Sequence, residues 1–222
     1  MFDQLLITSM YDLNQTIASE LFAGYYYPWE VLPEIGNFIM KLGESLPVDE
    51  YVKKRDDIWI ARNAKISSTV SVKGPCIIGK NAEIRHCAYI RGNVIIGEDC
   101  VVGNSTELKN SLLFNRVQVP HYNYVGDSIL GYKSHFGAGV ITSNIKSDRT
   151  PVVIRFNAAK IDTGLIKVGA LIGDNVEVGC NTVLNPGTIV GRSTNIYPLS
   201  MVRGYVPANS IYKKKGEVVF KK

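Results

Sequence analysis

His121, Glu107, Arg91, Lys109, Tyr124 and Asn144 are the residues of this chain whose types and spacing point to chemistry. Arg91 and Lys109 stand 18 residues apart, each directly after an apolar residue, Ile90 and Leu108. In a chain that repeats every six residues, this separation puts both cations on one corner of successive coils, about 5 Å apart at the backbone. They repel by about 1 kcal/mol in water and several-fold more in a cleft. Such a stack needs an acidic neighbour or a bound anion. Glu107 can be the neighbour. A phosphate accounts for the pair as well, because arginine binds it bidentately and lysine adds a point charge. His121 follows Pro120, where the repeat is irregular. An imidazole is suited to take a proton from an amine or hydroxyl. Counting sixes in threes brings Tyr124, Asn144, Arg91 and Lys109 to one corner or its neighbour.

The element that must position these residues is the repeat itself. Every sixth residue from Ile60 is apolar: Ile60, Ile66, Val72, Ile78, Ile84, Ile90, Ile96, Val102, Leu108 and Phe114. Four residues after each stands mostly a small or β-branched residue, such as Ala64, Val70, Cys76, Ala82 and Ala88. The register slips by one near Pro120, continues as Val119, Val125, Leu130 and Phe136, and resumes after an insertion at 142–165 as Ile166, Ile172, Val178, Leu184, Val190, Ile196 and Val202. A period of six is neither helix nor simple strand alternation; it marks a parallel β-helix of hexapeptides, three to a coil. The fold expected is all-β, a left-handed parallel β-helix of roughly seven coils, with a small helical N-terminal segment. Residues 1–57 are read as that segment and its linker, 58–207 as the β-helix, and 208–222 as a basic cap or tail. Leu13, Ile17, Leu21 and Phe22, and later Phe38, Ile39 and Leu42, lie at helical spacings. Pro28 suits a first helical turn.

Composition narrows the classes. Apolar residues make up 45% of 222 residues, enough for a substantial core. No apolar run is long enough to span a membrane, and the start MFDQLLITSMYDL, with acidic residues and no basic region, does not read as a secretory signal. A cytoplasmic protein is expected. The net charge of +5 is partly local, with Lys213, Lys214, Lys215, Lys221 and Lys222 at the end. No interleaved aromatic–basic pattern points to nucleic acid, so a small phosphorylated ligand is the economical partner. Cys76, Cys87, Cys100 and Cys180 match no zinc spacing and read as core or corner thiols.

The stretches 89–92, 107–109, 121–127 and 137–144 resemble, in order and spacing, the acetyltransferase half of the bacterial bifunctional glucosamine-1-phosphate acetyltransferase/N-acetylglucosamine-1-phosphate uridylyltransferase. They are equally similar to the C-terminal part of archaeal sugar-1-phosphate nucleotidylyltransferases that acetylate amino-sugar phosphates. The resemblance covers about 60–215, and PWEVL at 28–32 looks like the linker helix of such enzymes. It implies His121 as the base that takes the amine proton and Glu107 as the carboxylate near it. It implies Arg91 and Lys109 as phosphate and sugar contacts, and Tyr124 and Asn144 as substrate contacts. Ala138 and Cys180 fall at positions that meet acetyl-CoA, and Lys213 lies near a basic residue that does so. The resemblance also implies a homotrimer with sites made between prisms. His135 stands where the family has an asparagine, Ile145 where it has a tyrosine, and Arg149 or Lys146 where it has a loop lysine. No glycine-rich nucleotidyltransferase signature precedes the repeat, so uridylyl transfer is not expected.

The implied activity is N-acetylation of an amino-sugar 1-phosphate by acetyl-CoA, with direct attack of the amine on the thioester and no metal. Two other readings compete. A carbonic-anhydrase type of metal site needs three converging histidines, but position 126, where the close partner of His121 would stand, is glycine. A non-catalytic module that binds a sugar phosphate or nucleotide sugar beside a separate nucleotidyltransferase is motivated by His135 and Ile145.

Overall fold

The structure is a computed structural model that describes residues 2–55 and 57–221; Met1, Asp56 and Lys222 of the basic tail lie outside the described residues. The repeat folds as the expected parallel β-helix. Strands one coil apart pair in parallel, and three faces follow one another along the chain. The first face runs from Ile58–Ala61 through Cys76–Ile78 and Val94–Ile96 to Tyr205–Val206. The second runs from Lys65–Ile66 to Ser210–Lys214, and the third from Ser71–Val72 to Met201–Val202. The strands Glu107–Leu113 and Tyr124–Leu130 turn the corner from the third face to the first without a break. The register gives eight rungs on each of the first two faces and seven on the third among the described residues.

The six-residue spacing works because one apolar residue per strand points into the prism. Ile90, Leu108, Val125 and Leu184 stack inward on the third face and are fully buried. Corners need left-handed backbone, which asparagine and aspartate tolerate best among residues with a side chain. Asn81, Asp99, Asn175, Asn181 and Asn209 take it with φ between 53° and 57°.

The irregularity lies elsewhere than Pro120. Leu108 stacks beside Ile90, but Leu113, not Phe114, stacks beside Ile96. Five residues therefore separate Leu108 from Leu113, and again Val125 from Leu130, which stacks beside Leu113. The missing residue is lost at Lys109 and Asn110 in one coil and at Gly126 and Asp127 in the next, with Asn110 and Asp127 at φ 47° and 48°. The insertion that follows Thr142 leaves from the same corner in the third coil. Phe114 occupies the position held one coil earlier by Gly97, whose N–H donates to the Leu113 carbonyl. It is apolar for another reason: its ring lies 5.1 Å from Tyr11 and 5.8 Å from Phe22.

Tyr11 and Phe22 belong to an N-terminal segment that lies along the first face. Its longest helix is Ile35–Ser45, which packs on Cys76–Ile78, Val94–Ile96 and Glu107–Leu113. The helical spacing at Leu13 to Phe22 produces only the single 3₁₀ turns Leu13–Gln15 and Ser19–Phe22. These are pinned locally, for instance by the Asp12 carboxylate accepting the Asn14 N–H. Pro28–Glu34 is likewise a 3₁₀ stretch, started by Glu30 accepting the N–H groups of Tyr26 and Tyr27. This cover explains why first-face strands read as three apolar residues in a row (CII, VII, ALI): a strand buried on both sides has no polar alternation. The outward centres Ile77, Ile95, Leu112, Ile129 and Leu171 are all fully buried. Together they contribute on the order of 10 kcal/mol of gross burial. The other two faces remain open.

The two ends are closed by antiparallel strands. Tyr51–Lys54 pairs with Ile58–Ala61 at one end, and Glu217–Phe220 folds back on the last rung, Ser210–Lys214, at the other. The insertion forms a hairpin, Val153–Phe156 with Ala159–Asp162. It is anchored by buried Val152 and Ile154 and by Phe156, whose ring lies 5.4 Å from Phe2 and 5.0 Å from Tyr205.

Candidate active site

The open third face is flanked by two corners, and the sequence-predicted residues divide between them. On the corner that leads into this face, backbone bonds run in a ladder from coil to coil. Ser105 N–H donates to the His86 carbonyl, Tyr122 to Asn104, Gly139 to His121, Asn181 to Ala138 and Leu199 to Cys180, at 2.8–3.2 Å. This ladder stacks His86, Asn104, His121, Ala138 and Cys180 in one column. His121 is therefore a single rung, about 4.8 Å, from Ala138. Its backbone is fixed by Asn123, which is 2% exposed, accepts the His121 N–H at 3.1 Å and donates to the Gly137 carbonyl at 2.8 Å. The imidazole itself is exposed. The backbone N–H groups of Ala138 and Cys180 donate to nothing among the described residues. Lys213 lies two rungs beyond Cys180 near the end of the same corner, one position before the column, since Tyr197 N–H donates to the Tyr212 carbonyl. Its ammonium is 3.2 Å from Glu217.

On the corner that leaves this face, Lys73, Arg91, Lys109, Gly126, Ser143, Asn185 and Arg203 form the corresponding column. Both cations flagged in the sequence have protein partners. Arg91 Nη1 lies 2.7 Å from Glu107 Oε1. Lys109 Nζ lies 3.0 and 3.1 Å from the two oxygens of Asp127. Asp127 also accepts from Asn110 at 2.9 Å and from Asn144. Asn144 in turn donates to the Tyr124 hydroxyl at 3.3 Å. Lys109, Asp127, Asn144 and Tyr124 thus form one network. Tyr124 is half-buried, and desolvation first, then the Asp127 charge, raises its phenol above the ordinary value.

Asp127 is the residue that sequence reasoning missed. A signal existed: the repeat loses one residue at the corner that Asp127 occupies and one at the same corner a coil earlier, and a carboxylate at a shortened corner needs hydrogen-bond donors. The other expected members stand apart from this network. Glu107 neutralises Arg91, and no bond joins it to His121 among the described residues. His135 lies on the second face with Nδ1 2.8 Å from Glu177, away from Tyr124 and Asn144. Arg149 is exposed in the inserted loop at φ 55°, while Lys146 in the same loop faces Asp148 at 3.5 Å.

The thiols sort by burial. Cys76 and Cys100 are buried and Cys87 and Cys180 exposed. Among the described residues no group of three or more His, Cys, Asp and Glu side chains could hold a metal ion, and no helix is long and apolar enough to cross a membrane.

Comparison with known proteins agrees with the resemblance read from 89–144. Residues 72–153 match the GMPPB C-terminal domain family. The chain is 39% identical over 121 residues to the bifunctional protein GlmU of Methanococcus vannielii, covering 54% of this chain and 29% of that protein. It is 32% identical over 198 residues to GlmU of Methanococcus maripaludis, covering 88% of this chain and 48% of the relative. An Escherichia coli protein named uncharacterized acetyltransferase YaiX is 29% identical over 180 residues, 81% of this chain and 76% of its own length. The chain thus spans less than half the length of the GlmU proteins it matches.

Proposed function

We propose that this chain is a CoA-dependent N-acetyltransferase acting on an amino-sugar 1-phosphate. The observation that carries the reading is the ladder that sets His121 one rung from Ala138, with exposed imidazole beside unused backbone N–H groups. Acetyl-CoA lying along the Ala138–Cys180 corner would direct its thioester carbonyl at those N–H donors, which stabilise the oxyanion as it forms. The neutral sugar amine attacks the carbonyl carbon. His121 accepts the proton the nitrogen sheds, the C–S bond breaks, and CoA leaves as a thiolate that takes a proton to become the thiol. Holding both reactants on one rigid face supplies orientation.

The sugar lies on this reading across the third face towards Tyr124 and Asn144. Arg91 and Lys109 no longer demand a phosphate, since carboxylates already neutralise them. Arg91 and Glu107 are 44% and 32% exposed in their side chains. An incoming phosphate can therefore draw Arg91 from its partner at a cost of about 1 kcal/mol or less. Lys146 and Arg149 of the inserted loop are the other phosphate contacts. The third face also presents exposed Ile141, Val183 and Met201, beside Tyr122 and Leu199 at its corner. Such a strip suits a second copy of the chain, and a homotrimer completes the site from two prisms.

The assay is release of CoA thiol with acetyl-CoA and glucosamine-1-phosphate or galactosamine-1-phosphate, run beside light scattering for the oligomer. Turnover on one of them, lost in His121→Ala, is expected. No turnover on either, with tight binding of a sugar phosphate or nucleotide sugar, would favour the non-catalytic module instead. Internal pairing of Arg91 and Lys109 is the observation that keeps that second reading alive.

A further inference from the structure

The hairpin Val153–Phe156/Ala159–Asp162 places Arg155 directly opposite Lys160. Like charges across an antiparallel pair destabilise it, and the next coil adds a third cation, Arg203, to the same cleft. The cleft measures about 600 Å³ and also holds Lys146 and one carboxylate, Asp148, which Lys146 already faces at 3.5 Å. Arg155, Lys160 and Arg203 have no carboxylate partner among the described residues. A second cleft of about 500 Å³ adjoins it, shares Arg155 and Arg203, and adds Lys215. The arrangement is held rigidly. Gly204 sits at φ 81°, and a Cβ there would stand 2.8 Å from the Arg155 carbonyl oxygen, so the hairpin backbone rests directly on the coil. Phe156 clamps the other side, as described above.

We propose that the cleft beneath this hairpin is a second anion site, built for a small ligand carrying two or more linked phosphates. The guanidinium groups of Arg155 and Arg203 and the ammonium of Lys160, around a concavity of small-molecule size, match a diphosphate better than a lone phosphate. The site lies on the corner opposite His121 and does not depend on the acetyl-transfer reading. Two ligands share this chemistry: the coenzyme, which carries a diphosphate, and a nucleoside-diphosphate sugar.

The test is calorimetric titration of the full chain with inorganic pyrophosphate and orthophosphate, then with CoA and UDP. Pyrophosphate is expected to bind more tightly than orthophosphate, with affinity falling as salt rises. The double variant Arg155→Gln/Arg203→Gln is expected to weaken pyrophosphate by about tenfold or more, while His121→Ala leaves it unchanged. Lys160→Gln, on an exposed hairpin position, repeats the test should the double variant fail to fold. A parallel loss for CoA assigns the site to the coenzyme, and a parallel loss for UDP assigns it to a nucleotide sugar. Absence of pyrophosphate binding, equal affinity for orthophosphate, or affinity unchanged in the variants overturns the proposal, whatever the acetylation assay shows.

Discussion

Lys109 Nζ lies 3.0 Å from Asp127 Oδ1, and the Asp127 side chain is only 5% exposed. This ion pair closes the shortened corner where two successive coils each lose a residue. Its value is conformational, because the same carboxylate holds Asn110 and Asn144. Asp127→Asn keeps a residue that tolerates left-handed backbone but removes the charge that three donors share. It is expected to cost about 2–4 kcal/mol, read as a lower urea midpoint with an unchanged slope. Lys109→Met should cost a similar amount, and the double variant less than the sum of the two. Additive losses would mean that the two groups are not coupled.

His121→Ala is expected to reduce acetyl transfer by about 10²–10⁴-fold, the usual contribution of a positioned base, with little change in stability because the imidazole is exposed. Asn123→Ala separates position from chemistry. It removes the side chain that accepts the His121 N–H and donates to the Gly137 carbonyl, so both activity and melting temperature should fall. Equal turnover by the wild type and His121→Ala would remove His121 from the mechanism.

Alkaline pH should destabilise the fold through its buried acids. Burial raises the Cys76 thiol and pushes Cys100 up to about 12, from an ordinary value of 9.0. Above pH 9 the unfolded chain loses these protons while the folded chain keeps them. The folded state then binds more protons, and stability falls as pH rises, for Cys100 until about 12. Each thiol contributes at most about 1.4 kcal/mol per pH unit. Tyr11, raised well above 10.0 by burial and then by Asp174, adds to the loss above pH 10. Urea midpoints between pH 8 and 10 should decline less in Cys76→Ala/Cys100→Ala. In the native protein only Cys87 and Cys180 should react with a thiol reagent, and protection of Cys180 by CoA would place the coenzyme beside it.

The prism was legible because one inward apolar residue per six is a packing requirement that no other element shares. Its corners were legible only in part. A five-residue step shifts every later residue by one, yet Phe114 kept the count of six intact by being apolar for the sake of Tyr11 and Phe22. The apparent slip was therefore displaced to Pro120. The column of His121, Ala138 and Cys180 survives such shifts because the insertion leaves from the opposite corner and restores the register. Asp127 was hidden, as a buried acid looks like any loop aspartate until its donors are in place. His135 shows the converse: nine residues before Asn144 along the chain places it on another face, beside Glu177. Spacing alone does not say which of three faces a residue occupies once a corner has been shortened.

The N-terminal cover gives the sharpest test of the first face. Gly43, in the helix Ile35–Ser45, lies flat against Trp59, and a Cβ there would stand 2.4 Å from two ring atoms and 2.6 Å from a third. Trp59 is 3% exposed and cannot swing into solvent without uncovering the first rung. Helix propensity alone predicts that Gly43→Ala stabilises by up to about 1 kcal/mol. Overpacking against the indole costs about 1–3 kcal/mol, so the net expectation is a lower melting temperature. Asn37→Ala, at an exposed position of the same helix, is the control and should be neutral or slightly stabilising. If both variants raise the melting temperature alike, the helix does not rest on Trp59. Removing residues 1–46 carries the argument further: it bares Ile77, Ile95, Leu112 and Ile129 at once, an apolar strip that should drive the remaining chain into aggregates on size-exclusion chromatography.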